Sequence, residues 1–170
     1  GGNFTFPGCF TVETLVGKQS RLGNKSSWSV AEFLKLAEAS DIPMFSGMSR
    51  ELFLFYMEQY LLDAFWDEEA GTCSFDSEEF QTLLDYANTL TVPEELGYDL
   101  EDTMLLIRRD LTLAEPVTLR GVSQLHRIEA YTVGEPVAWI GWPGENGAKL
   151  RSAAELAAFK DTAHPDGVSE

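Results

Sequence analysis

Apolar residues in this 170-residue chain follow two different periods in turn, and this alternation constrains the fold more than any other feature. β-Branched and aromatic residues are concentrated in short runs, which predict extended segments at 5–16, 41–45, 111–119 and 137–142. Between these runs, apolar residues recur at the spacing of one helix face. Strands that alternate with helices predict an α/β fold. Because helix outweighs strand, we expect a short mixed sheet flanked by helices, in a single domain over residues 1–170.

Capping residues predict where helices begin. Ser29 and Glu32 form a capping box, in which the hydroxyl and the carboxylate each accept a hydrogen bond from a free N–H group at the helix start. Asp76 and Glu79 predict a second box of this kind. Each box precedes apolar residues at helical spacing, so both predict short helices with one buried face.

Three further helices are predicted. Ser49 should cap a helix from 50 to about 65, whose apolar residues surround most of its circumference and should therefore be heavily buried. Asp99 should cap the next helix, and a third is predicted from 120 to about 132, ended by Gly134. The side chains of this third helix that are predicted to point inward are Val122, Leu125, Ile128 and Tyr131.

Acidic residues strongly outnumber basic ones, since 28 Asp and Glu against 12 Lys and Arg leave a net charge of −16. Such a field repels phosphate backbones and anionic membrane surfaces, so we expect no nucleic-acid partner. No apolar run approaches the roughly 20 residues that span a bilayer, and no signal-peptide pattern is present. Two cysteines, Cys9 and Cys73, are too few for a disulfide framework, and the sequence leaves their pairing open.

Motifs that carry catalysis or hold a metal ion are missing from the sequence. It contains no Gly-x-Ser-x-Gly turn, no P-loop and no Gly-x-Gly-x-x-Gly dinucleotide turn. The acidic turn at 67–69 lacks the alternating ligand spacing of an EF-hand, and His126 lies beside a predicted buried stripe. We therefore predict no catalytic residue, no metal site and no cofactor.

Four segments follow one another along the chain in a recognisable order. They are FTVETLVG at 10–17, SWSVAEF at 27–33, GTCSFDSEEF at 71–80 and VAWIGWPG at 137–144. Their order resembles that of the bacterial extracellular solute-binding proteins, the sugar-type receptors of ABC importers. The resemblance implies that the chain is mainly the second lobe of a maltose-binding-protein-like receptor, with the type II periplasmic-binding-protein fold.

Two crossing segments, near 5–17 and 143–162, would join this lobe to a first lobe that lies outside the chain, if the resemblance holds. A turn at 164–167 would then open a helix. Within this chain alone, the crossing segments should lack some of their native partners or pair with each other, because an exposed strand edge is a template for association.

The resemblance also implies a function, a set of partners and a location. The chain would belong to a non-catalytic receptor that captures a small solute, expected to be a carbohydrate, and delivers it to ABC permease subunits. The receptor would be extracellular or periplasmic, and only an upstream lipid anchor would attach it to the membrane. Two alternatives remain: a free-standing α/β interaction module without a small-molecule site, and an enzyme of unrecognised type.

Two predicted strand-to-helix junctions supply candidate ligand contacts, because loop side chains and helix N–H groups converge there. The first junction carries Ser49 and Arg50, and the second carries Thr118 and Arg120. A guanidinium group presents a planar fork of donors to hydroxyls or carboxylates. The alternative for each arginine is an ion pair with one of the many nearby acids.

Three more candidate ligand contacts lie at the crossing segments. Glu13 resembles the ligand-contacting glutamate of maltose-type receptors, so it is a candidate acceptor for a ligand hydroxyl, or else an ordinary surface acid. Trp142 ends a predicted strand beside a Pro-Gly turn, where its ring could pack against the C–H face of a sugar or simply against the core. Arg151, at the end of the predicted polar loop 145–151, completes the set.

Overall fold

The computed structural model describes residues 5–90, 100–144 and 148–157, and it is a mixed α/β structure. The α-helices are α1 (Gln19–Leu22), α2 (Val30–Ala39), α3 (Arg50–Tyr60), α4 (Glu78–Thr89), α5 (Leu100–Arg108) and α6 (Val122–Arg127). The strands are β1 (Thr5–Lys18), β2 (Trp66–Asp67), β3 (Thr72–Cys73), β4 (Ala114–Leu119), β5 (Val137–Trp139) and β6 (Lys149–Ala157). A 3₁₀ turn at Leu62–Ala64 follows α3, and a π-helical segment at Ile128–Val133 continues α6.

Strand β1 organises the main sheet, since β4, β5 and β6 all pair with it. Its residues 12–17 pair with β4, residues 16–18 with β5, and residues 5–13 with β6. Residues 12 and 13 pair with β4 and β6 at once, so these two strands lie on opposite edges of β1. Every pairing among the described residues is antiparallel, and the predicted mixed sheet is therefore wrong for this part of the chain.

The N-terminal part of β1, before residue 12, has only β6 as its partner among the described strands. We call this two-stranded part, residues 5–11 with residues 151–157, the ribbon. The two predicted crossing segments therefore pair with each other over most of their described length. The described part of the polar loop predicted at 145–151 belongs to β6 instead, because residues 149–151 pair with β1.

The main sheet is buried on both faces. Leu15 points into a large core formed with α2, α3 and α4, which includes Phe33 and Phe53. Its neighbour Val16 points the opposite way, into a smaller core with α5 and the segment after α6, as alternation along a strand requires. Both side chains are fully buried, so β1 is held from two sides over its inner half.

The predicted capping residues are confirmed at two helices and displaced at a third. Ser29 and Glu32 form the reciprocal box at α2, and the Ser49 hydroxyl accepts a hydrogen bond from the Leu52 N–H at α3. At α4 the predicted box with Asp76 is wrong, because Ser77 is the cap and accepts from the Phe80 N–H at 3.3 Å. The Asp99 cap lies outside the described residues, as does the turn at 164–167.

The predicted strand at 41–45 is wrong, because this segment is irregular in the structure. It still borders the sheet: the carbonyls of Pro43 and Met44 accept hydrogen bonds from Leu113 and Ala114 at 3.0 and 2.9 Å. Helix α3 is also less buried than its composition predicts, since Leu52 is exposed.

The segment after α6 changes which side chains point inward. A π-helical turn places residues five apart on one face, so Ile128 and Val133 are buried together. The predicted inward positions of Val122 and Tyr131 are wrong, as these side chains are 81% and 72% exposed. The predicted end at Gly134 is confirmed, with a φ of 79° that favours glycine.

Candidate functional site

A cavity of about 360 Å³ lies where the C-terminal half of α3 meets β1, β4 and β6. Its wall is part aromatic and part polar. The lining residues are Glu13, Thr14, Phe55, Tyr56, Gln59, Tyr60, Pro116, Val117, Thr118, Trp142 and Arg151.

Local periodicity explains why these side chains meet. On β1, Glu13 lies two residues before Leu15 and so shares the face of the sheet that covers the large core. On β4, Thr118 is the direct partner of Glu13 and therefore lies on the same face. On α3, Tyr56 and Tyr60 are four residues apart, on one side of the helix. The cavity is thus the edge of the large core, at the place where polar residues replace apolar ones.

A hydrogen-bonded network closes one side of the cavity. The Tyr60 hydroxyl and the Arg151 Nε both donate to Oε2 of Glu13. The Arg151 Nη2 donates to Gln59 Oε1 at 2.9 Å and lies 3.4 Å from the Tyr60 hydroxyl. The two described donors to the Glu13 carboxylate thus share one oxygen, Oε2.

The charges in this network keep Tyr60 a hydrogen-bond donor. Burial, and then the hydrogen bond to Glu13, raise the pKa of Tyr60 to about 12. Burial and the nearby Glu13 charge also raise the pKa of Tyr56. Both phenols are therefore protonated at neutral pH. A protonated phenol can donate a hydrogen bond to a neighbouring carboxylate or to a ligand.

The floor of the cavity is a stack of aromatic rings. Trp142 is only 2% exposed, and its ring lies 5.3 Å from that of Tyr60, with 5° between planes, and 4.6 Å from that of Tyr56, with 28° between planes. The two tyrosine rings also contact each other, with centroids 5.9 Å apart. Because the tyrosines cover it, Trp142 supports the cavity from below. Phe55, by contrast, is 54% exposed and lies at the cavity rim.

The structure brings together four of the seven predicted ligand contacts and leaves three apart. Glu13, Thr118, Trp142 and Arg151 line the cavity. Ser49, Arg50 and Arg120 are not among its lining residues. Instead, the Ser49 hydroxyl caps α3, Arg50 forms an ion pair with Glu51 at 3.1 Å, and the Arg120 side chain is exposed.

Sequence reasoning missed Tyr56, Gln59 and Tyr60, which α3 contributes to the cavity. The signal was the spacing of the two tyrosines on one face of a helix whose other positions are mostly apolar. A polar-tipped aromatic residue on such a face often lies where a core meets solvent.

Three general properties of the described residues bear on the site. No group of His, Cys, Asp or Glu among them could hold a metal ion, and none of their helices could cross a membrane. Cys9 and Cys73 are both exposed and free, so they do not form a disulfide with each other.

Comparison with protein-family models, with curated proteins and with solved structures finds no match to this chain. The resemblance in the sequence therefore stays a prediction, and the geometry of the cavity carries the functional argument.

Proposed function

We propose that this chain is the ligand-binding lobe of a non-catalytic solute-binding protein, which captures a carbohydrate for an ABC importer. A first lobe outside the chain would complete the cleft, and hinge closure would trap the ligand before delivery to the permease. The receptor would work outside the cytoplasm, attached to the membrane by an upstream lipid anchor.

One observation supports this proposal above the others. Four residues predicted from the sequence as ligand contacts line a single cavity, although three lie on different strands and the fourth follows a further strand. They are Glu13 on β1, Thr118 on β4, Arg151 on β6 and Trp142 after β5. These residues are well separated in the sequence, and their convergence in space is what a binding site requires.

The chemistry of the cavity favours an uncharged, hydroxyl-rich ligand. The Glu13 carboxylate and the Arg151 guanidinium neutralise each other, so neither gives the cavity an excess charge. Glu13 Oε1 can accept from a ligand hydroxyl, and the Thr118 hydroxyl can donate or accept. The exposed ring of Phe55 at the rim offers an apolar surface to the C–H face of a sugar.

A titration followed by two-dimensional NMR would test the proposal. A panel of mono- and oligosaccharides is added to the labelled chain, and we expect amide shifts at Glu13, Gln59, Tyr60 and Thr118. Because about half of the cleft is supplied by the other lobe, binding should be millimolar or weaker. The complete receptor should bind in the micromolar range, a difference of at least about 4 kcal/mol.

Two outcomes would contradict the proposal. Micromolar binding by this chain alone would exclude a cleft shared between two lobes. A panel that leaves all four amides unchanged would instead favour the interaction module, for which the exposed apolar side chains Leu111, Val122 and Tyr131 offer contact surface.

A further inference from the structure

The ribbon projects from a sheet that is otherwise held on both faces. Residues 5–11 of β1 and 151–157 of β6 pair with each other and with no other described strand. Their pairing also changes register between Pro7 and Phe10. A two-stranded ribbon is at best marginally stable by itself. Its direction therefore depends on the contacts made where it leaves the sheet.

Those contacts come from one residue of β6 that reaches back to α3. Arg151 pairs with Thr11 in the first step of the ribbon. Its guanidinium donates to Glu13 on β1 and to Gln59 on α3, while Tyr60 on α3 donates to the same oxygen of Glu13. Three elements are thus tied together at the base of the ribbon.

The end of α3 strengthens this connection. A helix C-terminus carries unpaired carbonyls and partial negative charge, which favour a nearby cation. The last turn of α3 has no basic residue of its own. Lys149 of β6 supplies the cation, because its Nζ donates to the Gln59 carbonyl at 2.6 Å and lies 3.4 Å from Asp63 Oδ2.

We propose that the side chains of Tyr60, Glu13 and Arg151 form a hydrogen-bonded clasp. This clasp sets the direction in which the ribbon leaves the rest of the described structure, which we call the body. The three side chains also line the cavity, so a ligand bound to Glu13 would act on the same hydrogen bonds that orient the ribbon. This coupling to a ligand rests on the proposed function, whereas the clasp itself does not.

The two native cysteines allow a direct test. Cys9 lies on the ribbon and Cys73 on β3 of the body, and both are exposed and free. Nitroxide labels on them report the ribbon-to-body distance distribution by pulsed electron paramagnetic resonance. We expect Tyr60→Phe and Arg151→Met each to shift or broaden this distribution. Tyr60→Phe keeps the ring that stacks on Trp142, so a change reports the lost hydroxyl.

Hydrogen exchange supplies a second readout of the clasp. Loss of the hydrogen bond from Tyr60 to the charged Glu13 should speed amide exchange at residues 9–13 by about tenfold or more, and loss of the solvent-accessible Arg151 ion pair should speed it by no more than about fivefold. Lys25→Met is the matched control, because it removes an ion pair of similar exposure, with Glu32 at 2.6 Å, far from the ribbon in the chain. Neither readout should change in this control.

The outcomes separate the clasp from the proposed function. If both clasp variants keep the wild-type distance distribution, the clasp does not set the direction of the ribbon and the proposal is wrong. If they shift it while no saccharide binds, the clasp stands and the proposed function fails. If Arg151→Met does not fold, Tyr60→Phe alone decides, since it removes a single hydroxyl.

Discussion

The two ends of the inner part of β1 carry charged networks of different character. At one end, Lys18 is buried and all three of its ammonium hydrogens have acceptors. These acceptors are the Arg108 carbonyl at 2.9 Å, Asp110 Oδ2 at 3.0 Å and Glu135 Oε1 at 3.0 Å. The Lys18 ammonium group has no further hydrogen to donate, so this network serves to join β1 to the segments that follow α5 and α6.

At the other end, the network of Glu13, Tyr60 and Arg151 is only partly satisfied. Arg151 is half-exposed, and both described donors to Glu13 use one carboxylate oxygen. Glu13, Tyr60 and Arg151 all line the cavity. The contrast supports the proposed binding role at the cavity, because unused hydrogen-bonding capacity there could serve a ligand, whereas the fully satisfied charge of Lys18 is structural.

The largest expected effect on stability tests whether Trp142 is part of the packed core beneath the cavity. Trp142→Ala should lower the free energy of unfolding by about 3–5 kcal/mol, because it leaves a cavity beneath Tyr56 and Tyr60. Urea unfolding measures this loss. Trp66→Ala is the control, since Trp66 is about half-exposed and its removal should cost far less. A Trp142 variant of normal stability that loses sugar affinity would instead show an open stacking platform.

The second prediction compares the two networks directly. Lys18→Met should lower the free energy of unfolding by about 2–3 kcal/mol, since it removes the donor of the Arg108 carbonyl and the cation that pairs with the Asp110 and Glu135 carboxylates. Arg151→Met should cost less than about 1 kcal/mol, because its ion pair is solvent-accessible. Equal losses in urea unfolding would remove the distinction between a structural and a binding network.

High pH offers an independent check on Lys18. Burial lowers the pKa of Lys18, but hydrogen bonds to Asp110 and Glu135 outweigh burial and raise it above its ordinary value of 10.5. A raised lysine pKa in the folded state stabilises the fold below the ordinary value, and the contribution is lost as pH rises through the folded value. The stability difference between wild type and Lys18→Met should therefore shrink above about pH 10.5.

The two ends of β1 also differ in how far the sequence predicts them. The strand period is a local signal, and it places Glu13 correctly on a strand, although the predicted segment ends at 16 and β1 continues to Lys18. The clasp depends on contacts between residues far apart in the chain, such as Arg151 and Tyr60, 91 residues apart. Periodicity cannot bring such residues together. Periodicity also predicted the wrong direction for Tyr131, because a π-helical turn changes the spacing of the buried residues along the helix.

A third prediction concerns Glu115, a buried acid on β4 that lies between the two networks and pairs with Val16. Its Oε1 accepts from the Ser46 N–H at 2.7 Å, and it forms no ion pair with the described cations. Burial raises the pKa of Glu115, and the hydrogen bonds from Ser46 offset this only in part. Wild-type stability should therefore fall as pH rises from the unfolded-state pKa of about 4.3 through the raised folded-state value.

Glu115→Gln should remove this decline and stabilise the protein at pH 7 by about 1 kcal/mol, because no charge is then buried without a cation. Thermal unfolding between pH 4 and pH 7 measures the difference. Glu129→Gln, at an exposed position, is the control and should change stability by less than about 0.5 kcal/mol. If Glu115→Gln is less stable than wild type at pH 7, the result would contradict the prediction and would indicate a compensating positive charge near this carboxylate.

The smallest expected effect on stability separates two threonines six residues apart, one just before β4 and one on it. Thr118 lines the cavity, and its hydroxyl is available to a ligand, whereas the buried Thr112 hydroxyl donates to the Met44 carbonyl at 3.0 Å. Thr118→Val should change stability by less than about 0.5 kcal/mol and weaken saccharide binding about 2- to 10-fold, the value of one neutral hydrogen bond. Thr112→Val should do the reverse, because it removes a buried hydrogen bond to the Met44 carbonyl, and Thr112 is not among the lining residues of the cavity. NMR titration and urea unfolding of both variants measure the two effects side by side. If Thr118→Val lowers stability and leaves binding unchanged, the cavity end of β1 is as structural as the Lys18 end, and the distinction between them is lost.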